Sequence, residues 1–161
     1  MSLGRWLTRL WLILLAALTT IVVVACNQGT NTPTTGGNPG GGQGLKVGVL
    51  LPVTGDLSAF GQPMVKAIEM AVETANSCGG VLGQPVQLVK EDDRTSETAG
   101  AEAMNKLATI DKVGAVVGAF GSGISSAALA VAVPNQVVMV SPASTSTVFT
   151  ERAKKGEFQD F

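Results

Sequence analysis

The chain contains no histidine and no tyrosine, and only 2 cysteines among its 161 residues. Without histidine, neither a Ser-His-Asp nor a Cys-His nucleophile system can be assembled within it, and the commonest zinc ligand is missing. Charged residues make up 14% and the formal net charge is −1. That excludes the basic surface of a nucleic-acid binder and the charge density of a disordered polyelectrolyte. These shortages argue against an enzyme and against nucleic acid as a partner.

Apolar residues are plentiful, at 45%, and one stretch inflates the figure. Leu10 to Val24 reads LWLILLAALTTIVVV and follows Arg5 and Arg9 with no acidic residue before it. A basic start, an apolar core and small residues at its end are the marks of a secretory signal. Such a run could instead be retained as a transmembrane helix. Val23-Val24-Ala25-Cys26, at the point where the run stops, resembles a bacterial lipobox. Residues 1–25 are therefore expected to be a leader, and Cys26 the lipidated mature N-terminus of an extracytoplasmic, membrane-anchored protein. Residues 26–44 continue as NQGTNTPTTGGNPGGGQG after the cysteine, without a charge or a large apolar side chain. That composition cannot offset its ordering entropy, so it reads as a tether reaching roughly 20–25 Å by random-coil scaling.

Residues 45–161 alternate short β-rich runs with amphipathic segments, the pattern of β/α units around an open parallel sheet with helices on both faces. Strands are expected at Leu45–Leu51, Pro85–Glu91, Val113–Val117 and Gln136–Val140, in the order 2-1-3-4. The first helix is expected from Gln62-Pro63 to Gly79-Gly80, with Met64, Val65, Ile68, Ala71, Val72 and Ala75 facing inward. The second opens at Thr95 or Ser96 and buries Ala99, Ala103 and Leu107. The third runs from Ser122 to Val133 on Ile124, Ala127, Ala128 and Val131, closed by Pro134. Pro142 to Phe161 reads as polar and irregular, with Glu151 to Lys155 a solvated loop or helix. Asp92-Asp93 reads as a solvated strand end or helix-start feature, not a metal pair.

Ligands of open parallel sheets bind beyond the carboxyl ends of the strands. Three loops there are rich in glycine and hydroxyl residues: PVTGDLSAFG (52–61), GAFGSGISS (118–126) and SPASTST (141–147). Gly121 and Gly123 allow close approach, and Ser122 stands at an expected helix start, where free N–H groups and the dipole favour an anion. Gly118, Gly121 and Gly123 imitate a dinucleotide fingerprint only loosely, and no Gly-Lys-Ser/Thr exists for a P-loop. Gly121-Ser122-Gly123 is not a nucleophile elbow, because its glycines do not stand two residues either side of the serine. No cofactor or metal is implied.

LKVGVLLPVTGDLSAFGQPMVKAIEMAVETAN, then GGVLGQPVQLVKEDD, VVGAFGSGISSA and VSPASTS, resembles the N-terminal lobe of the periplasmic leucine/isoleucine/valine-type binding proteins. These are the receptors of branched-chain amino acid ABC importers. The resemblance implies the type I periplasmic-binding fold, capture of an amino acid or analogue without catalysis, and an ABC permease as membrane partner. It places the family's ligand serine on Ser122, holding an α-carboxylate. It places the family's Ala-x-Thr on Ala143, Ser144 and Thr145, with the Ala143 carbonyl and Thr145 hydroxyl accepting the ammonium. Phe60 falls where some members use tyrosine, leaving an apolar wall, and Phe120 is a second aromatic candidate for the pocket. Some members carry a disulfide in this lobe; here the corresponding stretches hold no cysteine, so Cys78 is expected to be a free thiol or to pair outside this sequence. Such receptors close two lobes on the ligand, and a second lobe is absent from this sequence. The chain thus reads as a fragment or a truncated frame. The same fold also serves in sensors that signal through a partner, and a surface lipoprotein with an interaction role is the other alternative.

Overall fold

The computed structural model describes residues 44–158. The leader, Cys26 and the tether up to Gln43 lie outside the described residues. Four strands, β1 (Lys46–Leu51), β2 (Gln87–Asp92), β3 (Ala115–Gly118) and β4 (Val138–Val140), form one sheet in the order β2-β1-β3-β4. Every neighbouring pair is parallel, as the sequence predicts. The strands connect through α1 (Ser58–Ser77), α2 (Glu97–Asn105) and α3 (Ser122–Ala132), and α4 (Val148–Lys154) follows β4.

The core lies on one face of the sheet. Leu50 and Val116 project there against Ala103, Met104 and Leu107 from the α2 segment and against Ile124, Ala128 and Ala132 of α3. Leu50, Met104, Leu107 and Val116 are all 0% exposed, and burying such side chains stabilises by roughly 1.5–3 kcal/mol each. Leu107 sits in a π-helical turn, Lys106–Ile110, that extends α2. The opposite face is covered by α1 over β1 and β2. Val49 and Leu51 are buried, whereas Val138 and Val140 of β4 are 49% and 60% exposed.

Several boundaries differ from the sequence reading. The first helix begins at Ser58, not near Pro63, which becomes an interior residue. The earlier turn is closed by contacts that no local propensity encodes. The Leu57 carbonyl accepts from the amides of Phe60 and Gly61, while the Leu57 amide donates to Thr95 Oγ1, 3.1 Å away. Only glycine fits at 61, because a Cβ there would collide with the Pro52 carbonyl. Within α1, Met64, Val65, Ile68, Val72 and Ala75 are half-buried as expected, but Ala71 is exposed. It lies at the margin of the apolar stripe. Gly79 and Gly80, at φ +98° and +72°, turn the chain out of the helix, and Cys78 beside them is exposed.

Ser96 caps α2, its hydroxyl accepting from the Ala99 amide at 3.4 Å. The segment after Pro142 is not wholly irregular, since Val148 to Lys154 is helical. Arg152 secures it to α3, donating to Ser126 Oγ at 3.1 Å and lying 5.3 Å from the Phe158 ring centre.

Candidate functional site

Two pairs of loops meet at the carboxyl edge of the sheet. Strands β3 and β4 are neighbours in register, Val117 opposite Val140, so the residues that follow them emerge about 5 Å apart. Ser122 is the first residue of α3, after an extended Gly121. Its Oγ accepts the amide of Ser146, 3.3 Å away and 24 residues on. The two hydroxyl-rich loops are thereby joined at the start of a helix whose free N–H groups and positive dipole end favour a bound anion. Thr145, next to Ser146, is exposed, and Ala143 is half-buried with its amide on Ser141 Oγ at 3.3 Å.

Phe60 and Phe120, expected near the pocket, stack on each other with centroids 5.3 Å apart and planes 14° apart. Phe60 is 53% exposed. The pair brings the first turn of α1 against the loop after β3, two residues ahead of Ser122. Ser144 turns inward: its hydroxyl lies 2.7 Å from Ser125 Oγ and 2.8 Å from Ser141 Oγ. Behind these serines, an apolar cavity of about 330 Å³ opens onto Leu129, Met139, Phe149 and Phe158. Ser125, Ser141 and Ser144 line it as well, so it borders the loop after β4, while Ser122, Thr145 and Phe60 do not line it.

Three features escape sequence reasoning. Glu97 packs its carboxylate into the space left by the missing side chain of Gly123; an acidic residue in the first turn of one helix gives no sign that it faces another. Asp92 accepts from the amides of Val53 (2.9 Å), Thr54 (3.2 Å) and Arg94 (2.9 Å) and from the Thr54 hydroxyl (2.6 Å). Burial pushes its carboxyl up, but these donors outweigh it and hold the group below the ordinary value of 3.8.

Asp93 corrects the expectation of a solvated pair. It is 0% exposed, and Oδ2 has no hydrogen-bond partner while Oδ1 accepts from the Thr95 amide at 2.9 Å. Desolvation drives its carboxyl above the ordinary value; the Thr95 amide opposes this and the charge of Asp92 reinforces it. The reason is topological, because β2 ends under the first turn of α2, where Gly100 brings the helix against the Asp93 side chain. Among the described residues, no group of three or more Cys, Asp or Glu side chains is placed to hold a metal ion.

Residues 44–157 match the family described as periplasmic binding protein. The chain belongs to the periplasmic binding protein family. Among curated relatives of this binding protein, the Leu/Ile/Val-binding protein homolog 2 of Brucella abortus is 38% identical over 108 residues, 67% of this chain and 29% of the relative. The leucine-binding protein LivK of Thermotoga maritima is 38% identical with a TM-score of 0.61, over 66% of this chain and 30% of that one. LivJ of Streptococcus pneumoniae, a branched-chain amino acid transporter substrate-binding protein solved with isoleucine, is 32% identical with a TM-score of 0.66, over 68% of this chain and 31% of that one. This periplasmic binding protein chain therefore spans about 30% of the length of these relatives, and shares the type I fold over that span.

Proposed function

We propose that this chain is the N-terminal, ligand-capturing lobe of an extracytoplasmic receptor serving an ABC importer. Its ligand is a small amino acid or a closely related carboxylate, held by hydrogen bonds and released unchanged. The observation that carries this reading is the hydrogen bond from the Ser146 amide to Ser122 Oγ, which joins two hydroxyl-bearing loops at a helix start. A ligand carboxylate would take the Ser122 hydroxyl and the first amides of α3; its ammonium would take the Thr145 hydroxyl and the Ala143 carbonyl. The stacked Phe60 and Phe120 would wall the ligand side chain. Leucine and isoleucine are the first ligands to test, given the relatives' names.

Removal of one charge-assisted hydrogen bond costs about 1.5–3 kcal/mol, a roughly 10- to 150-fold loss of affinity. Calorimetric titration of the full-length receptor with L-leucine and L-isoleucine should show that loss for Ser122→Ala and Thr145→Ala. Unchanged affinity in both variants, with the fold intact, would move the site elsewhere.

The receptor is held to the membrane through a lipid on Cys26, within reach of an ABC permease. Wild-type protein expressed in bacteria should incorporate labelled palmitate and Cys26→Ala should not; equal labelling removes the anchor from the account.

A further inference from the structure

Ser122 and Thr145 are the proposed ligand contacts, yet three other serines fix where their loops stand. Ser125 is 2% exposed, and Ser141 and Ser144 are half-buried. The hydroxyls of Ser141, Ser125 and Ser144 lie 2.6, 3.1 and 3.5 Å from the carbonyl oxygen of Ala119. A carbonyl offers two lone pairs and each hydroxyl one proton. With Ser141 and Ser125 donating to Ala119, Ser144 donates to Ser125 Oγ at 2.7 Å. Ser141 Oγ in turn accepts the amides of Ser144 at 2.9 Å and Ala143 at 3.3 Å. Each hydroxyl proton thus has its acceptor inside the cluster, and none is left over for a ligand.

The cluster spans the site's two loops. Ser125 lies one turn beyond Ser122 on α3, while Ser144 stands between Ala143 and Thr145. We propose that Ser125, Ser141 and Ser144 are positioning residues for ligand capture: they fasten the loop after β4 to the first turn of α3, presetting the distance between the carboxylate and ammonium contacts. This rests on the reading of Ser122 and Thr145 as ligand contacts. A preset loop avoids the ordering cost that a mobile one incurs on binding.

The test is calorimetric titration of the full-length receptor with L-isoleucine at a temperature where every variant is folded. Ser144→Ala and Ser141→Ala should each weaken binding about 3- to 10-fold, the effect of one neutral hydrogen bond. Ser141→Thr, which keeps the hydroxyl, should restore affinity to within about 2-fold. In a Ser122→Ala background, Ser144→Ala should cost little more, because the contact it positions is already gone. A purely structural role would lower thermal stability without this coupling or rescue. Undiminished affinity in Ser144→Ala and Ser141→Ala, alongside a loss in Ser122→Ala, overturns the positioning role and leaves the ligand contacts standing. Undiminished affinity in Ser122→Ala and Thr145→Ala as well overturns both.

Discussion

The loops at the carboxyl edge are fastened in pairs by opposite chemistries. After β1 and β2 a single carboxylate, Asp92, gathers one hydroxyl and three amides. After β3 and β4 the centre is a neutral carbonyl, Ala119, with three serine hydroxyls around it. The charged clamp is stronger per bond but answers to pH; the neutral one does not. The pair that carries the proposed ligand contacts is the neutral one. Loops set this way keep their spacing when acidity changes.

The largest expected effect comes from breaking the charged clamp. Asp92→Ala removes the acceptor of four hydrogen bonds, only the Val53 amide keeping a second one in the Leu51 carbonyl, and should cost about 2–3 kcal/mol in urea unfolding at neutral pH. Because the folded-state pKa lies below the ordinary 3.8, the stabilisation is present above that value and is lost as pH falls through the folded pKa. Wild type and Asp92→Ala should therefore converge in stability under acid.

Ser125→Ala breaks the neutral clamp and should cost about 1 kcal/mol. The same unfolding series should give that cost unchanged from neutral to acid. A cost that varied with pH would show that the two clamps do not differ as described.

Asp93→Asn should have the smallest effect, with the opposite sign. The wild-type carboxyl titrates higher in the folded state than in the unfolded chain. It therefore lowers stability once pH rises above the ordinary carboxylate value, and not below it. The variant should melt at a higher temperature than wild type at neutral pH, with the gain disappearing in acid.

Much of this architecture is legible in the sequence. The runs LKVGVLL and VVG, separated by amphipathic stretches, dictate strands in a parallel sheet, and the glycine- and hydroxyl-rich strand ends single out Ser122 as a candidate, whereas Thr145 is a candidate only through the family resemblance. Asp93 is illegible because a paired acid at a strand end ordinarily faces water. Its burial depends on α2 folding back over β2 at Gly100. The start of α1 is hidden for a related reason, since Thr95, 38 residues from Leu57 in sequence, holds the turn ahead of Pro63. Ser141 and Ser144 carry a local sign, a serine whose hydroxyl takes the amide three residues on. Their link to Ala119 and Ser125 spans 19 to 25 residues, and no local pattern encodes it.

The loops after β3 and β4 are the proposed ligand edge of the sheet. Titrating the nitrogen-15-labelled chain with L-isoleucine and following its amide resonances tests this directly, because weak binding to one lobe still shifts the amides at the contact. The largest shifts are expected at Ser122, Gly123, Thr145 and Ser146, abolished by Ser122→Ala. Shifts confined to the cavity lined by Leu129 and Met139, or to the loop around Asp92, would contradict it.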